Sequence, residues 1–428
     1  MAGQRESRRA FLAAAAGASA SLAGCARGAL ARRSATASSR DLADRIVFYN
    51  AGDLQFDPGT RRNIERFEAE TGITVEVPEV PWPDLKTTLT TVWNNRSSRI
   101  DVWNGPTWWL ADFVQSGWLE PLDLPASHME KFPQNLRDLV TFDGRVYMAP
   151  QLGKWGTFLY DSDYLDRLGY DHPPRTWTEL LETGEMLTGD ERAGFAVPWA
   201  NKDVFTFKQF LYQAGGQLFD GNEPVFVEEG SVALEFLRRL GDRGVLPADA
   251  MELGQPGVRR AFIDGRLATV ESWTPLGART LDADGWDADR LGTAKPPAGP
   301  ASRATFQDTN GIGVSAFSQR KRAAKLFAEF MTTTESAKRD MLVEGNPSVV
   351  PAVYDDPEVR DQYPNGLLED MRYNLEHAKS ETYLAQSRVD AYLSEQITPA
   401  MRGRKGPETA LEDAAANIRQ LYSSMGLL

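Results

Sequence analysis

Hydrophobic and polar positions along this chain fall into short blocks that switch between two periods. Ile46-Val47-Phe48-Tyr49 is an uninterrupted apolar run, the mark of a buried strand, and Asn50-Ala51-Gly52-Asp53 reads as the loop leaving its C-terminal end. Residues 63–70 place Ile64 and Phe67 on one helical face, and Gly72 supplies the stop. Ile73 to Val77 alternates with period two, as a half-buried strand does. Leu85, Leu89 and Val92 then share a helical face, with Asp84 standing as its cap. Ile100-Asp101-Val102-Trp103 predicts another strand, and 109–116 a helix ended by Gly117. Beyond Pro173-Pro174 the pattern turns helical, over 177–187, 203–214 and 230–240. A Pro/Gly-rich loop at 295–300 precedes a strand within 305–315, a helix over 320–331 and further helices from 355 onward. Strand and helix in alternation predict an α/β fold with both sheet faces covered. Ligands of such sheets bind beyond the C-terminal ends of the strands.

The first 44 residues follow a different logic. Arg8-Arg9 with Phe11-Leu12 resembles a twin-arginine export signal. The Ala-rich run from Phe11 to Ala23 is too short to span a bilayer. Leu22-Ala23-Gly24-Cys25 resembles a lipobox, after which the signal is cut and the Cys lipidated. Cys25 is the only Cys of the chain, and it falls at the cut. The expectation is a signal over 1–24, a lipidated, Arg/Ser-rich tether over 25–44, and an extracytoplasmic protein held at the cell membrane by acyl chains.

Composition narrows the class. The 428 residues, 42% apolar and 25% charged, suffice for two lobes with real cores. No apolar stretch of about 20 residues occurs. A single Cys permits no internal disulfide, and His128, His172 and His377 are scattered, so no metal site or cofactor is expected. The formal charge is −13, and removing residues 1–24, with three Arg and one Glu, takes it to −15. Such a chain is not expected to bind nucleic acid. No G-x-S-x-G, H-E-x-x-H or P-loop motif is present, and no pair among 60 acidic residues is singled out as a glycosidase dyad. Enzyme activity is therefore not expected, a secreted glycan-active enzyme being the weakest alternative.

Six segments, in order, resemble one family. They are Phe67-Glu68-Ala69-Glu70-Thr71-Gly72-Ile73, Gln115 to Leu122 (QSGWLEPL), Asp143 to Pro150 (DGRVYMAP), Pro174 to Leu180 (PRTWTEL), Phe262 to Ala268 (FIDGRLA) and Gly406 to Leu411 (GPETAL). They are similar to the extracellular solute-binding proteins of ABC importers, in the branch with maltose- and trehalose-binding proteins. The resemblance runs over roughly residues 45 to 425. It implies a two-lobed periplasmic-binding-protein fold that closes by hinge motion on a ligand in the cleft. It puts the first lobe at 45–150 plus 306–347 and the second at 151–305 plus 348–428. The crossings fall near Gln151–Trp155, Arg303–Phe306 and Asn346–Val350. It further implies a carbohydrate ligand, an ABC permease as partner, and a monomer. A non-sugar solute, such as a polyamine, phospho-compound or peptide, is the alternative.

A sugar needs flat apolar rings for its C–H faces and fixed polar groups for its hydroxyls. Asp53, Lys154, Trp155 and Trp273 stand where the resemblance places ligand contacts, and Tyr383 matches a late aromatic of the second lobe loosely. Trp108 and Trp109 occupy a stretch where the family usually carries an Asp. Trp199 and Asn201 follow a short strand, Glu271 neighbours Trp273, and Asp308 and Asn310 precede the Gly311-Ile312-Gly313 strand. Trp82, after Pro81, is a lip or surface residue. Trp118 and Trp177 sit at packing positions.

Overall fold

The computed structural model describes residues 42–51, 57–273 and 276–428. Segment 1–24, Cys25, the tether up to residue 41, and Asp53 lie outside the described residues. Contacts divide the chain into Met1–Asp44 and Arg45–Leu428, and the second unit carries the strands. These are β1 (Arg45–Tyr49), β2 (Thr74–Glu76), β3 (Val102–Pro106), β4 (Leu119–Glu120), β5 (Thr141–Phe142), β6 (Arg145–Val146), β7 (Met148–Leu152), β8 (Gly156–Asp161), β9 (Ala193–Ala196), β10 (Phe219–Asp220), β11 (Glu223–Pro224), β12 (Leu267–Trp273), β13 (Leu291–Ala294) and β14 (Asn310–Ser315).

Two sheets organise the unit. The first runs β2-β1-β3-β14-β4, with β7 also paired to β14. β1 is parallel to β2 and β3, while β14 is antiparallel to β3, β4 and β7. The second runs β13-β8-β12-β9, with β8 antiparallel to both neighbours and β12 parallel to β9. Helices cover the first sheet, whose central strands β3, β7 and β14 are buried throughout. Phe48 of β1 meets Phe327 at 5.0 Å, and Phe67 packs edge-on against Phe327 and Phe330. Trp103 of β3 packs edge-on with Trp93 and Phe113, and Trp118 closes that cluster. Asp101, fully buried just before β3, accepts from Val47 N, the Ser318 hydroxyl and Arg320. It thereby ties β1, β3 and the turn after β14 together. In the second half Trp177 stacks on Phe236 at 4.3 Å and donates its indole N–H to Gln213.

The helix expected from Leu85, Leu89 and Val92 spans Trp82–Asn94. Its start corrects one expectation: Pro81 holds the N-cap position, and Asp84 lies in the first turn. There its charge meets the positive end of the helix dipole without capping an N–H. Helix Asp203–Ala214 is buried at every position from Val204 to Gln213, so it runs through the interior rather than along it.

Two stretches carry the chain between the sheets, Gly153 to Trp155 and the segment before β14, and a third, around Pro347, runs beside the first. Backbone contacts zip them side by side. Asp308 N donates to the Lys154 carbonyl at 2.6 Å, Gly153 N to that of Pro347 at 3.3 Å, and Gln307 N to that of Lys379 at 2.9 Å. Isolated bridges join Leu152 to Ser348, Trp155 to Gln307 and Phe306 to Lys379. Gly153 permits this approach: a Cβ there would stand 2.2 Å from the Trp155 ring and 2.9 Å from the Pro347 carbonyl oxygen.

Candidate ligand site between the two sheets

The site begins where β3 ends. Its strand runs straight into a 3-10 turn, Thr107–Trp109, that throws two consecutive indoles in different directions. Their rings lie nearly perpendicular, at 79°. Trp109 turns inward, 3% exposed, stacked on Trp103 on one side and on the exposed Trp82 at 5.3 Å on the other. Trp108 stays partly buried and touches both hydrophobic cores of the molecule. Its indole N–H donates to Asp308 Oδ1 at 2.9 Å, and its ring meets Phe205 edge-on at 6.0 Å. Asp308 stands just before β14 and Phe205 in helix Asp203–Ala214, so the contact joins segments from the two halves.

Phe205 belongs to an aromatic shelf that sequence reasoning did not single out. It stacks on Phe306 at 4.8 Å. Lys208 lies beneath, 3% exposed, with its ammonium 5.7 Å from both rings and 5.0 Å from the Tyr383 ring. Its charge is matched by Asp390 at 3.0 Å, and Tyr383 Oη donates to the same carboxylate at 2.6 Å. Burial, with Asp390 beside it, holds the Tyr383 phenol well above its ordinary pKa. Tyr383 is thus a strut of the shelf. The usable signal was a Lys inside the aromatic run Val204 to Tyr212: a buried ammonium must have a partner.

The remaining predicted positions separate by burial. Lys154 is partly buried and its carbonyl accepts from Asp308 N; Lys202, which the sequence reading does not single out, is partly buried with its ammonium 4.3 Å over the Phe205 ring. Burial pulls the Lys202 pKa below the ordinary lysine value; the Asp308 charge opposes this and that of Lys154 adds to it. Trp155 is fully buried and Trp199 4% exposed, and neither indole N–H finds an acceptor among the described residues. Asn201 is exposed with φ 59°, a left-handed turn that Asn tolerates. Asn310 is buried and donates to the Asn104 side chain, which donates to Gln151: a polar link inside the first sheet. Trp273 ends β12 opposite Gly156, and its side chain lies outside the described residues.

Glu271, two residues earlier on the same strand, is 3% exposed, and its Oε1 has no hydrogen-bond partner among the described residues. Burial raises its pKa to about 8, against a smaller lowering by Gln209. It crowds around Gly156, where a Cβ would stand 2.7 Å from Gln209 Oε1 and Thr305 Oγ1 and 3.1 Å from Glu271 Oε1. Among the described residues no three His, Cys, Asp or Glu side chains gather as a metal site.

A two-part α/β fold with an aromatic and polar seam between its halves is the architecture of a solute binder. Residues 63–365, well over half the chain, match the family described as bacterial extracellular solute-binding protein, and the chain belongs to that family. A Sinorhizobium fredii protein, named a probable amino-acid ABC transporter periplasmic-binding protein (y4oP), is 23% identical over 393 residues, covering 85% of this chain and 86% of its own. Among solved structures, maltose-bound MalE3 of T. maritima superposes with a TM-score of 0.78 at 24% identity, covering 89% of this chain and all of that one. The GacH receptor of Streptomyces glaucescens, solved unliganded and with acarbose, gives 0.78 at 21% identity, covering 89% and 99%. The fold is therefore the two-lobed solute-binding fold anticipated from the six segments.

Proposed function

We propose that this chain captures a carbohydrate outside the cytoplasm and hands it to the permease of an ABC importer, acting as a monomer. The lobes would be 45–150 plus 306–347 and 151–305 plus 348–428, bending about the zipped crossings. Cys25 would anchor the chain by lipid after twin-arginine export. The observation that carries the ligand assignment is the Trp108–Asp308 pair facing Phe205 across the two halves. A flat indole edge-on to a second ring, with a carboxylate fixed beside it, offers a sugar both an apolar face and a hydroxyl acceptor. Trp273, at the end of β12, is the proposed second stacking ring. The maltose and acarbose complexes of the structural neighbours favour the same chemistry.

The name of the Sinorhizobium relative favours an amino-acid solute as a second reading. One screen separates them. Soluble protein starting at Ala26 is melted with mono-, di- and oligosaccharides and with the common amino acids. A ligand at a hundredfold its Kd stabilises by about 2.7 kcal/mol. Stabilisation by an amino acid and by no sugar overturns the carbohydrate reading.

A further inference from the structure

We infer that Asp112 and Lys86 form a clasp that holds the two halves of the fold together beside the ligand site, with no contact supplied by solute. This rests on the hinge bending proposed above and not on which solute is bound. Asp112 lies in helix Leu110–Gln115, one turn beyond Trp108, and Lys86 in helix Trp82–Asn94. Leu85, Leu89, Leu110 and Phe113 of these helices belong to the first hydrophobic core. Opposite them stands the start of helix Gln386–Met401, whose Val389, Leu393 and Ile397 belong to the second core. Ala385 N donates to Asp112 Oδ1 at 2.7 Å, and Lys86 Nζ donates to Ser387 Oγ at 2.8 Å. Lys86 Nζ also lies 3.7 Å from Asp112 Oδ2, so the two bonds come from the partners of one ion pair.

The receiving turn is anchored in the second half. Glu381 accepts from Leu218 N and Phe219 N, and the Leu384 carbonyl accepts from Tyr422 Oη at 2.9 Å. Ala385 itself has φ 53°, a left-handed conformation that a residue with a Cβ adopts only at a cost. Its N–H in that turn goes to Asp112, whose carboxylate also meets the positive end of the helix dipole. The side chains of Lys86 and Asp112 are only 28% and 25% exposed, so their charge-assisted bonds are less screened than those of an open surface pair. The clasp stands next to the candidate site on both sides, since Ala385 follows Tyr383 of the aromatic shelf by two residues. Every one of these contacts joins protein to protein. A solute therefore completes an arrangement that the halves already favour, and its apparent affinity rises with the closed fraction. Residues that never touch solute thus help to set how tightly it is held.

The test reads the distance between the halves with no solute added. Soluble protein starting at Ala26 contains no Cys, so Thr91→Cys and Arg404→Cys, both at exposed positions, take spin labels on the two halves. Pulsed electron spin resonance is recorded on protein refolded from urea, which strips carried solute, with the melting temperature as a control for folding. The labelled protein is expected to show a short, closed distance. Asp112→Ala and Lys86→Met are each expected to lower the ratio of closed to open molecules about tenfold, and Asp112→Asn, which keeps an acceptor for Ala385 N, to lower it less. Added salt should lower the ratio in the protein with the clasp intact and leave it unmoved in Asp112→Ala. Lys86→Met carries the same test should Asp112→Ala fail to fold. Two distances whose ratio is the same with and without the clasp residues overturn the inference while leaving the bending intact. One and the same single distance in all of these proteins removes the bending as well.

Discussion

The indole N–H of Trp108 donates to Asp308 Oδ1 at 2.9 Å, fixing the turn after β3 to the segment entering β14. The bond holds the Trp108 ring at the seam while Trp109, its chain neighbour, is committed to the core. Replacing Trp108 by Ala removes part of a ring of about 150–250 Å². If half of it contacts ligand, sugar affinity falls by about 2–3 kcal/mol, or roughly 30- to 150-fold. Trp108→Phe keeps a ring and loses the N–H, so a loss of about 0.5–1.5 kcal/mol is expected. Titration of both variants, with the ligand-free melting temperature as control, checks this. Wild-type affinity in a folded Trp108→Ala protein excludes the residue from the site.

Glu271 makes stability depend on pH in a definite direction. Its folded pKa, raised from 4.5 to about 8, means that the folded state binds more protons than the unfolded state between those values. Stability is fully present below the unfolded pKa and is lost as pH rises through the folded one. Glu271 contributes a slope of up to about 1.4 kcal/mol per pH unit. Glu271→Gln keeps the shape and removes the titration, so its urea-unfolding profile should fall less steeply from pH 5 to 8 than the wild-type profile. Parallel profiles would show that Glu271 is ionised and partnered in the folded protein.

The element pattern was legible where burial alone decides it. The sequence pattern puts helices 177–187 and 203–214 at their observed bounds; Thr176 caps the first, and Gly215, in the left-handed region, ends the second. The site was legible only in part. Trp108 and Trp109 carry the same local signal, and what separates them is the direction each indole takes from one 3-10 turn, a tertiary matter. Trp155 and Trp199 follow strands as ligand aromatics do, yet pack inward. Phe205 and Phe306 carry no site signal in the sequence, because a Phe in an apolar helix or before a strand reads as core. Their role emerges only when Trp108 arrives from another part of the chain.

Gly153 is expected to resist even a methyl group. Gly153→Ala drives Cβ against the Trp155 ring and the Pro347 carbonyl, so either the ring or two crossing segments must shift. Overpacking of this kind costs about 1–3 kcal/mol. The melting temperature should drop, and small-angle scattering should show a smaller change in radius of gyration on ligand binding than in wild type. An unchanged melting temperature would mean that the crossings give way freely.

Cys25→Ser should move the protein from the membrane fraction to the soluble extracytoplasmic fraction, since no other Cys is available for acylation. Membrane retention equal to wild type would place the anchor elsewhere.

The strand order of the first sheet bears on how the chain is made. β14 is its hub: among the described residues β4 and β7 pair with β14 and with no other strand, and β3 has β14 along one edge. A ribosome has therefore released β4 and β7 long before their partner emerges, whereas the second sheet has all four strands once Ala294 is out. The later half of the fold can assemble its sheet while the earlier half still exposes strand edges. Such long-range closure is slow and leaves the nascent chain open to aggregation. Export by a pathway that accepts folded cargo would let this wait end in the cytoplasm, with chaperones at hand, before the chain meets the membrane.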